Sequence, residues 1–578
     1  MSLRSLASLA ILLAIILAAG GCKPAAKPAA ERYFGIHLDF HAGPANQDIG
    51  ANTTQEMVQA IIDIMHPDFI QTDCKGHPGY SSYPTKVGNP APGLAINPDG
   101  STMNPLRIWR EVTARNGVAL YMHYSGVLDA RAIELHPGWA SIDPAGNIRS
   151  HATSVFGPYA DSLLIPQLKE LAGEYGVDGM WVDGECWGTN VDYCETAVDA
   201  FRKQTGFEPP KNPGDSLWYE WKQFNREAFR QYLRHYIDAV HAEYPDFRIC
   251  SNWSYTHHMP EPVSAPLDFL SGDNSPLNSV NYGRIASRYV SSQGMPWDLM
   301  IWSFAKSSDS RPQKTAVQLM REAAVIISQG GGFSAYYTQQ KDGSVDLEKL
   351  LPMAEVAKFV RERQPYCFRT TTVPQIALLY STWDYQHRDD PKNPNCLYPT
   401  LNDRVDSLLQ GLLESRYSVD LMGEETLLAN MKNYPLIVIP DAVELSPEFE
   451  QALKEYSDQG GKVLRLSNDR TEIRQRVSEL FPEPMVEIDC QEYVDLALRR
   501  HNGKLQLHLV NTSGDHSGTP VIEEIPPVEN IRISVRLPRK PRRIICQPSG
   551  EELPFTFSDG IALFTLPKLD IYDIIEVS

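Results

Sequence analysis

Hydrophobic residues between positions 33 and 370 alternate between short strand-like runs and longer stretches with helical periodicity. This alternation is typical of a parallel sheet whose strands are joined by crossover helices. Eight strands are predicted, at residues 34–41, 68–76, 118–126, 177–185, 247–255, 268–274, 298–304 and 332–337. The count predicts a (β/α)8 TIM barrel, in which catalytic groups lie at the C-terminal ends of the strands.

The pattern changes after residue 370. A second, shorter series of strands and helices predicts a small doubly wound α/β domain over residues 371–480. Short alternating strands bounded by Gly, Pro and Asn then predict a β-sandwich over residues 481–578. All ten tryptophans lie between Trp109 and Trp383, so the last third of the chain is not expected to stack on sugar rings. The predicted fold class is α/β, with the barrel over residues 33–370 followed by these two domains.

The N-terminus has the features of a targeting segment. Arg4 precedes an apolar run at residues 6–19 that is too short to span a bilayer comfortably, and small residues follow up to Cys22. Small residues directly before a cysteine resemble a bacterial lipoprotein signal, which implies removal of residues 1–21 and lipidation of Cys22, with residues 22–32 as a linker. The alternative is an ordinary signal peptide with an incidental cysteine. We expect an exported, membrane-anchored lipoprotein, periplasmic or at the cell surface.

Composition narrows the range of partners. The chain of 578 residues carries 53 Lys and Arg against 72 Asp and Glu, a formal net charge of −19. Without a Lys/Arg cluster, this charge argues against nucleic acid and against an anionic membrane surface as the main partner. Contact with a membrane is therefore expected only through the lipid anchor. The eight other cysteines are scattered, with neither metal-site spacing nor the density of a disulfide scaffold.

The strongest chemical feature is the end of predicted strand four, where Asp183 and Glu185 stand between Trp181 and Trp187. In an extended strand, side chains two residues apart share a face, so both carboxylates are expected to point into the barrel mouth. Hydrolysis of a glycosidic bond requires such a pair, one carboxylate to attack or stabilise the sugar and one acid to protonate the leaving oxygen. The alternative is that Asp183 caps the next helix while Glu185 forms an ion pair.

The strand-four segment, Trp-Val-Asp-Gly-Glu at 181–185, resembles the nucleophile motif of the retaining α-L-fucosidase family. Predicted strands one and two resemble that family's substrate-binding strands more loosely. The segments at 136–139 and 166–171, together with the Asp183 motif, are similar to a group of bacterial proteins classified from sequence as glycoside hydrolases related to the fucosidases.

This resemblance covers residues 33–370 and implies a barrel glycosidase with Asp183 as its nucleophile and no cofactor. The sequence departs from the fucosidases at strand two, where Lys75 and His77 replace their paired histidines. The identity of the sugar therefore stays open.

Residues 434–440 and 459–463 resemble the amidotransferase-like trimerisation module that follows the barrel in some β-galactosidases. The resemblance implies a homo-oligomer. Those enzymes place glutamates after strands four and seven, and the strand at 298–304 contains none. Their catalytic mechanism is therefore not carried over.

The acid/base partner of Asp183 must come from another strand end or from its own. Asp273 ends predicted strand six, and a carboxylate there paired with an aspartate after strand four resembles the arrangement in α-galactosidase-type retaining barrels. Asp273 is therefore the first candidate and Glu185 the second, although Gly272-Asp273-Asn274 is also compatible with an ordinary turn. Carboxyl groups roughly 5 to 5.5 Å apart would indicate retention, and a wider gap inversion.

Polar and aromatic residues near the predicted strand ends are candidates for binding an oligo- or polysaccharide. They are His37, Asp39, His41, Asp73, Lys75, His77, His123, Trp187, Trp253, Trp297 and Trp302. The first three are expected to share one face of strand one, and Asp73, Lys75 and His77 one face of strand two.

Two other functions use the same residues. In one, His37, Asp39, His41 and His123 hold Zn²⁺ for a metal-dependent barrel hydrolase. Its weakness is that His37 and His41 would lie about 13 Å apart on a straight strand, at roughly 3.3 Å per residue. In the other, a surface lipoprotein binds glycans without cleaving them. The function we predict is an exported, retaining glycoside hydrolase, fucosidase-like and free of metal.

Overall fold

The computed structural model describes residues 31–274, 277–305, 312–388, 403–441, 443–467, 469–491, 493–517 and 521–578. The predicted signal peptide, Cys22 and Cys396 lie outside these residues. The seven cysteines that are described all carry free thiols. No helix in the described ranges is both long enough and apolar enough to cross a bilayer.

Eight parallel strands form the first sheet and confirm the TIM barrel. In chain order the strands of this region are β1 (Phe34–Asp39), β2 (Phe69–Lys75), β3 (Ala119–Ser125), β4 (Ala140–Ile142), β5 (Ile148–Thr153), β6 (Gly179–Asp183), β7 (Arg248–Ser251), β8 (Leu270–Asn274), β9 (Trp297–Trp302) and β10 (Gly332–Thr338). The barrel order is β7-β6-β3-β2-β1-β10-β9-β8, and β4 and β5 form a separate hairpin. Backbone hydrogen bonds from Asp268 to Ile249 (3.0 Å) and from Trp253 to Ser271 (3.3 Å) link β7 and β8, which closes the ring.

Amphipathic helices surround the barrel. They are α1 (Gln55–Met65), α2 (Pro105–Arg115), α3 (Ala130–Leu135), α4 (Ile165–Glu170), α5 (Glu195–Thr205), α6 (Trp218–His241), α7 (Ser279–Ser291), α8 (Ala316–Ile327), α9 (Leu347–Leu350) and α10 (Pro352–Cys367). In α1 the buried residues Val58, Ile61, Ile62 and Met65 recur at helical spacing, and Thr54 caps its first turn by accepting a hydrogen bond from the Met57 amide. Such helices bury the outer face of the strands, so β1, β2 and β3 are buried along their whole length.

The β4–β5 hairpin and helix α5 are among the elements of the barrel region that were not predicted from the sequence. The β4–β5 hairpin escapes detection because most residues of β5 are exposed or half-buried, so no apolar run marks the strand. Helix α5 buries only Ala197 and Phe201, which is too weak a periodic pattern to stand out.

A parallel four-stranded sheet follows, in the order β13-β12-β14-β15. After the short strand β11 (Thr371–Thr372), its strands are β12 (Ile376–Leu379), β13 (Val419–Met422), β14 (Leu436–Pro440) and β15 (Lys462–Leu466). The helices are α11 (Thr382–His387), α12 (Asp403–Glu414), α13 (Glu424–Asn430), α14 (Pro447–Asp458) and α15 (Arg470–Leu480). The first strand lies inside the sheet with its successors on both sides, which is the doubly wound topology.

Two antiparallel sheets complete the fold as a β-sandwich. Their strands are β16 (Val486–Asp489), β17 (Val494–His501), β18 (Lys504–Asn511), β19 (Val528–Arg536), β20 (Ile544–Gln547), β21 (Glu551–Glu552), β22 (Phe555–Ser558), β23 (Ile561–Leu569) and β24 (Tyr572–Val577). The sheet orders are β11-β17-β18-β24-β20-β21 and β16-β19-β23-β22. One apolar core, with Leu496, Leu507 and Ile533 at its centre, lies between them.

The sandwich is fixed to the barrel by buried polar and apolar contacts. The Arg284 guanidinium in α7 is fully buried and donates to both Asp495 oxygens, at 2.8 and 2.7 Å. Arg499 donates to the backbone oxygens of Gln329 and Thr370. In addition, Tyr572 of β24 packs into the apolar core of the barrel.

Candidate active site

Asp183 is the last residue of β6, and three side chains from neighbouring strand ends hold its carboxylate. His123 at the end of β3 lies 3.3 Å from Oδ2, His77 lies 3.5 Å from the same oxygen, and the Asn252 amide donates to Oδ1 at 2.8 Å. The chain turns immediately afterwards because Gly184 has a φ of 74°, a backbone conformation that favours glycine. The Asp183 side chain therefore stays in the barrel mouth.

These contacts decide the charge of Asp183. Burial by itself would raise the pKa of this carboxyl, but the hydrogen bond and positive charge of His123, followed by His77 and Asn252, outweigh burial and lower the pKa below its ordinary value. Asp183 is therefore ionised at neutral pH, as a nucleophile must be.

The imidazole ring of His123 contacts three carboxylates. Its Nδ1 lies 3.1 Å from Asp73 and 3.7 Å from Asp39, while its Nε2 faces Asp183. Burial disfavours the charged imidazole, yet Asp39, Asp183 and Asp73 together raise the pKa of His123 well above its ordinary value. The ring is therefore an imidazolium whose two N–H groups both donate to carboxylates.

Asp273, in β8, is the second carboxylate of the mouth. The Trp302 indole donates to its Oδ2 at 3.0 Å, and the Asn252 amide lies 3.4 Å from its Oδ1. The same Asn252 nitrogen binds Asp183 at 2.8 Å. Because both distances end on one nitrogen, these two carboxylate oxygens lie at most about 6.2 Å apart, a limit compatible with the roughly 5 to 5.5 Å separation of a retaining pair.

Their surroundings give Asp183 and Asp273 different pKa values. Burial and then the negative charge of Asp183 raise the pKa of Asp273 to about 6, although hydrogen bonds from Trp302, Asn252 and Trp253 oppose the shift. Two carboxyl groups this close cannot both ionise easily in a buried site. Below about pH 6 the arrangement thus provides one carboxylate and one carboxylic acid, which is the requirement for acid/base chemistry on a glycosidic oxygen.

The prediction that Glu185 shares the mouth with Asp183 is wrong. Strand β6 ends at Asp183, and Glu185 begins a 3-10 turn, so the alternation of an extended strand no longer applies. The Glu185 carboxyl is fully buried and accepts a hydrogen bond from Tyr236 of α6 at 2.9 Å. Burial raises its pKa to about 8, so the group is neutral and packs between barrel and helix.

Two predicted histidines do meet at the mouth. His41 does not share a strand face with His37, because β1 ends at Asp39 and the chain turns back at His41 with a φ of 49°. Its Nε2 contacts Asp39 at 2.7 Å, and its ring lies 4.5 Å from that of His77. The two side chains keep 28% and 34% of their surface exposed, so both can reach a ligand.

Three of the predicted substrate-binding residues do not face the mouth: Lys75, His37 and Trp297. The pairing of β2 with β3 shifts register between Asp73 and Lys75, and the buried Lys75 ammonium bonds Asp129 at 2.9 Å instead of facing the mouth. His37 is buried below the mouth, with its Nδ1 2.8 Å from the Gln71 amide. Trp297 begins β9, at the end of the barrel opposite the mouth, and packs against the backbone at Gly331.

The other three tryptophans lie where they were expected. Trp302 contacts Asp273, and Trp187 and Trp253 form an edge-on pair with ring centres 5.5 Å apart, beside His77. Sequence reasoning did not identify Asn252, which joins the two carboxylates. Its only signal was its position, because it directly follows the last residue of β7.

Two groups of side chains have the compactness of a metal site. Asp39, His41 and His123 form one, and His41, His77 and Asp183 form the other, with ligand atoms within 4.8 Å of one another. His37 belongs to neither. In the first group both ring nitrogens of His123 also face carboxylates outside the group, Asp73 at 3.1 Å and Asp183 at 3.3 Å.

No protein-family profile and no curated protein matches the sequence. Solved structures do resemble the fold. α-L-Fucosidase isoenzyme 2 from Paenibacillus thiaminolyticus has 16% identity and a TM-score of 0.78, over 95% of this chain and 99% of that chain. β-Galactosidase from Bacillus circulans sp. alkalophilus has 11% identity and a TM-score of 0.67, over 96% and 100%. The GH42 β-galactosidase Gan42B from G. stearothermophilus has 13% identity and a TM-score of 0.67, over 95% and 99%. At these identities the likeness is one of fold alone.

We predict that Glu185→Gln keeps turnover and stabilises the protein increasingly at higher pH. Between the ordinary pKa of 4.5 and the folded value of about 8, folded Glu185 holds a proton that the unfolded chain releases, so the free energy of unfolding falls as pH rises. The amide of the variant would lack this titration. Thermal unfolding at several pH values should show the difference in Tm, variant minus wild type, growing from about pH 5 to pH 8. Loss of turnover in a folded variant would instead restore Glu185 as a catalytic acid.

Proposed function

We propose that this protein is a retaining exo-glycoside hydrolase with Asp183 as nucleophile and Asp273 as acid/base. The observation that carries the proposal is the pair of carboxylates on the Asn252 amide, one ionised and the other with a pKa of about 6. The fold shared with glycosidases supports the reaction class. A protein that only binds glycans would not require one ionised carboxylate beside a second carboxyl of raised pKa.

In the first step, Asp273 donates its proton to the glycosidic oxygen while Asp183 attacks the anomeric carbon, which forms a glycosyl-enzyme ester and releases the alcohol. The Trp302 indole holds Oδ2 of Asp273 as an acceptor, so the proton resides on the more weakly bound Oδ1. In the second step, ionised Asp273 removes a proton from water, which displaces Asp183. The His123 imidazolium keeps Asp183 a good leaving group in this step.

We propose an α-L-fucoside or a related α-linked sugar as the substrate. The support is the likeness of residues 181–185 to the fucosidase nucleophile motif, together with the pair of histidines at the mouth. In this chain the two histidines are His41, which follows β1, and His77, which follows β2. Lys75, the last residue of β2, bonds Asp129 and does not take part. Their ring nitrogens can bind sugar hydroxyls, while Trp187 and Trp253 shield the sugar from water.

We predict that Asp183→Asn lowers turnover by several orders of magnitude, because the amide keeps the shape but cannot attack the anomeric carbon. Asp273→Asn should be nearly as damaging with an alkyl glycoside, and much less so with an aryl glycoside whose leaving group needs no proton. Added azide should then rescue Asp273→Asn and give a glycosyl azide of retained configuration. Nuclear magnetic resonance of the product identifies its configuration.

The control for these variants is Glu185→Gln, another isosteric change of a buried carboxyl close to Asp183. It should keep wild-type turnover without azide. Near-normal turnover in Asp183→Asn on a substrate of the wild type would contradict the nucleophile assignment, and the fucosidase-like mechanism with it.

We predict an alkaline limb near pH 6 in the profile of kcat/KM, because Asp273 must be protonated in the free enzyme and loses its proton above its pKa of about 6. The acid limb should lie below the ordinary range for an aspartate, since Asp183 stays ionised there. Asp273→Asn should remove the alkaline limb when an activated aryl glycoside is the substrate. A limb near pH 8 that Glu185→Gln removes would assign the acid to Glu185 instead.

We further propose that the mature chain begins at lipidated Cys22 and is exported. A diacylated cysteine would provide the two chains that stable membrane attachment requires. We expect the wild-type protein in the membrane fraction and a Cys22→Ser variant in the soluble fraction. Mass spectrometry of the N-terminus checks the modification, and an unmodified N-terminus downstream of residue 22 would show that the anchor is absent.

A further inference from the structure

A cavity of about 180 Å³ lies at the edge of the doubly wound sheet, away from the barrel mouth. Thr382, Gly423 and Ser446 border it, and they follow the C-terminal ends of β12, β13 and β14 respectively. Pro262 and Tyr289 of the barrel form the opposite wall. The cavity thus lies where the α/β domain meets the barrel.

Its position in the topology is one that binds ligands in many α/β proteins. Strand β12 has β13 on one side and β14 on the other, so the connections after β12 and β13 leave the sheet in opposite directions. The loops then diverge and open a crevice outside the C-terminal ends of the strands, which is the usual ligand site of an open parallel sheet.

The cavity contains an aromatic platform. Trp383 is only half-buried, and His387, one helical turn later, stacks on its ring at 3.7 Å with an angle of 27°. Tyr219 of α6 stacks on His387 at 3.9 Å. One face of the indole is therefore covered by this stack, and Trp383 is among the residues that line the cavity.

The platform is held rigidly. The buried Glu424 carboxylate accepts hydrogen bonds from the backbone amides of Thr382 and Trp383, at 2.6 and 3.3 Å, and from the Ser381 hydroxyl. Asp384 accepts a further one from the Glu444 amide at 3.0 Å. The loops after β12, β13 and β14 are thus tied together, and a ligand would meet a preformed site.

Two acidic residues line the cavity: Glu424, whose carboxylate already accepts three hydrogen bonds, and Glu425 at the exposed rim. The other polar side chains are neutral. The side chains of Thr382, Gln386 and Thr426 border the cavity, and none of them bonds another residue within the described ranges. No Lys or Arg is among the described residues that line it, so an anionic ligand such as a phosphate is disfavoured.

We propose that this cavity is a second carbohydrate site that binds one pyranose ring of a neutral sugar. The apolar C–H face of the ring would stack on Trp383, and its equatorial hydroxyls would bond Thr382, Thr426 and Gln386. The site shares no residue with the barrel mouth. It therefore stands or falls independently of the catalytic proposal.

The test uses the full chain labelled with 5-fluorotryptophan, observed by fluorine nuclear magnetic resonance. Trp383→Phe assigns the Trp383 resonance, and the probes are the methyl glycosides of L-fucose, D-galactose and D-glucose. We expect at least one probe to shift this resonance in a saturable manner. Trp139 is the matched control, because it is also half-buried and stacked on a histidine, His136 at 4.1 Å, and its resonance should not move.

Thr426→Met fills the cavity and removes a hydroxyl while leaving Trp383 itself in the sequence. It should weaken binding at Trp383 by roughly tenfold or more, the loss of one good hydrogen bond and of ring packing. The proposal is overturned if no probe moves the Trp383 resonance more than that of Trp139, or if Thr426→Met leaves the titration unchanged. Turnover and the Trp302 resonance, read on the same samples, report separately on the barrel mouth.

Discussion

The candidate active site depends on the positive charge of His123. Three aspartates, at positions 39, 73 and 183, converge on one buried ring, and without its charge they would repel one another in a medium of low polarity. The imidazolium offsets this repulsion and holds Asp183 ionised. A neutral His123 would lose the charge that most lowers the pKa of Asp183, so this carboxyl would hold a proton more readily.

The acidity of Asp273 depends on its burial and, through Asp183, on the same charge. Burial raises the pKa of Asp273 most, and the negative charge that His123 maintains on Asp183 raises it further, to about 6, while the Asn252 amide bonds both carboxylates. Glu185 is also protonated, but in contact with α6 rather than with the mouth. Closeness to Asp183 in sequence is thus a poor guide to closeness in the barrel mouth, because the end of a strand reorients the side chains that follow.

The barrel, and the position of Asp183 at the end of a barrel strand, could be predicted because apolar periodicity marks each strand. The errors have local backbone causes. Gly184 ends the alternation that would have placed Glu185 beside Asp183, and the register shift between Asp73 and Lys75 turns Lys75 towards Asp129. Trp297 was assigned to the wrong end of its strand. Asn252 has no motif, since its role exists only where β6, β7 and β8 meet.

The buried pair of Arg284 and Asp495 has a consequence for how this chain could have evolved. Loss or exchange of the sandwich would leave an uncompensated guanidinium inside the helical layer of the barrel, and would expose apolar residues that now pack on Tyr572. Either partner could change only together with the other. The two regions are therefore expected to be inherited as one unit, and recombination between related genes should preserve the junction rather than cut it.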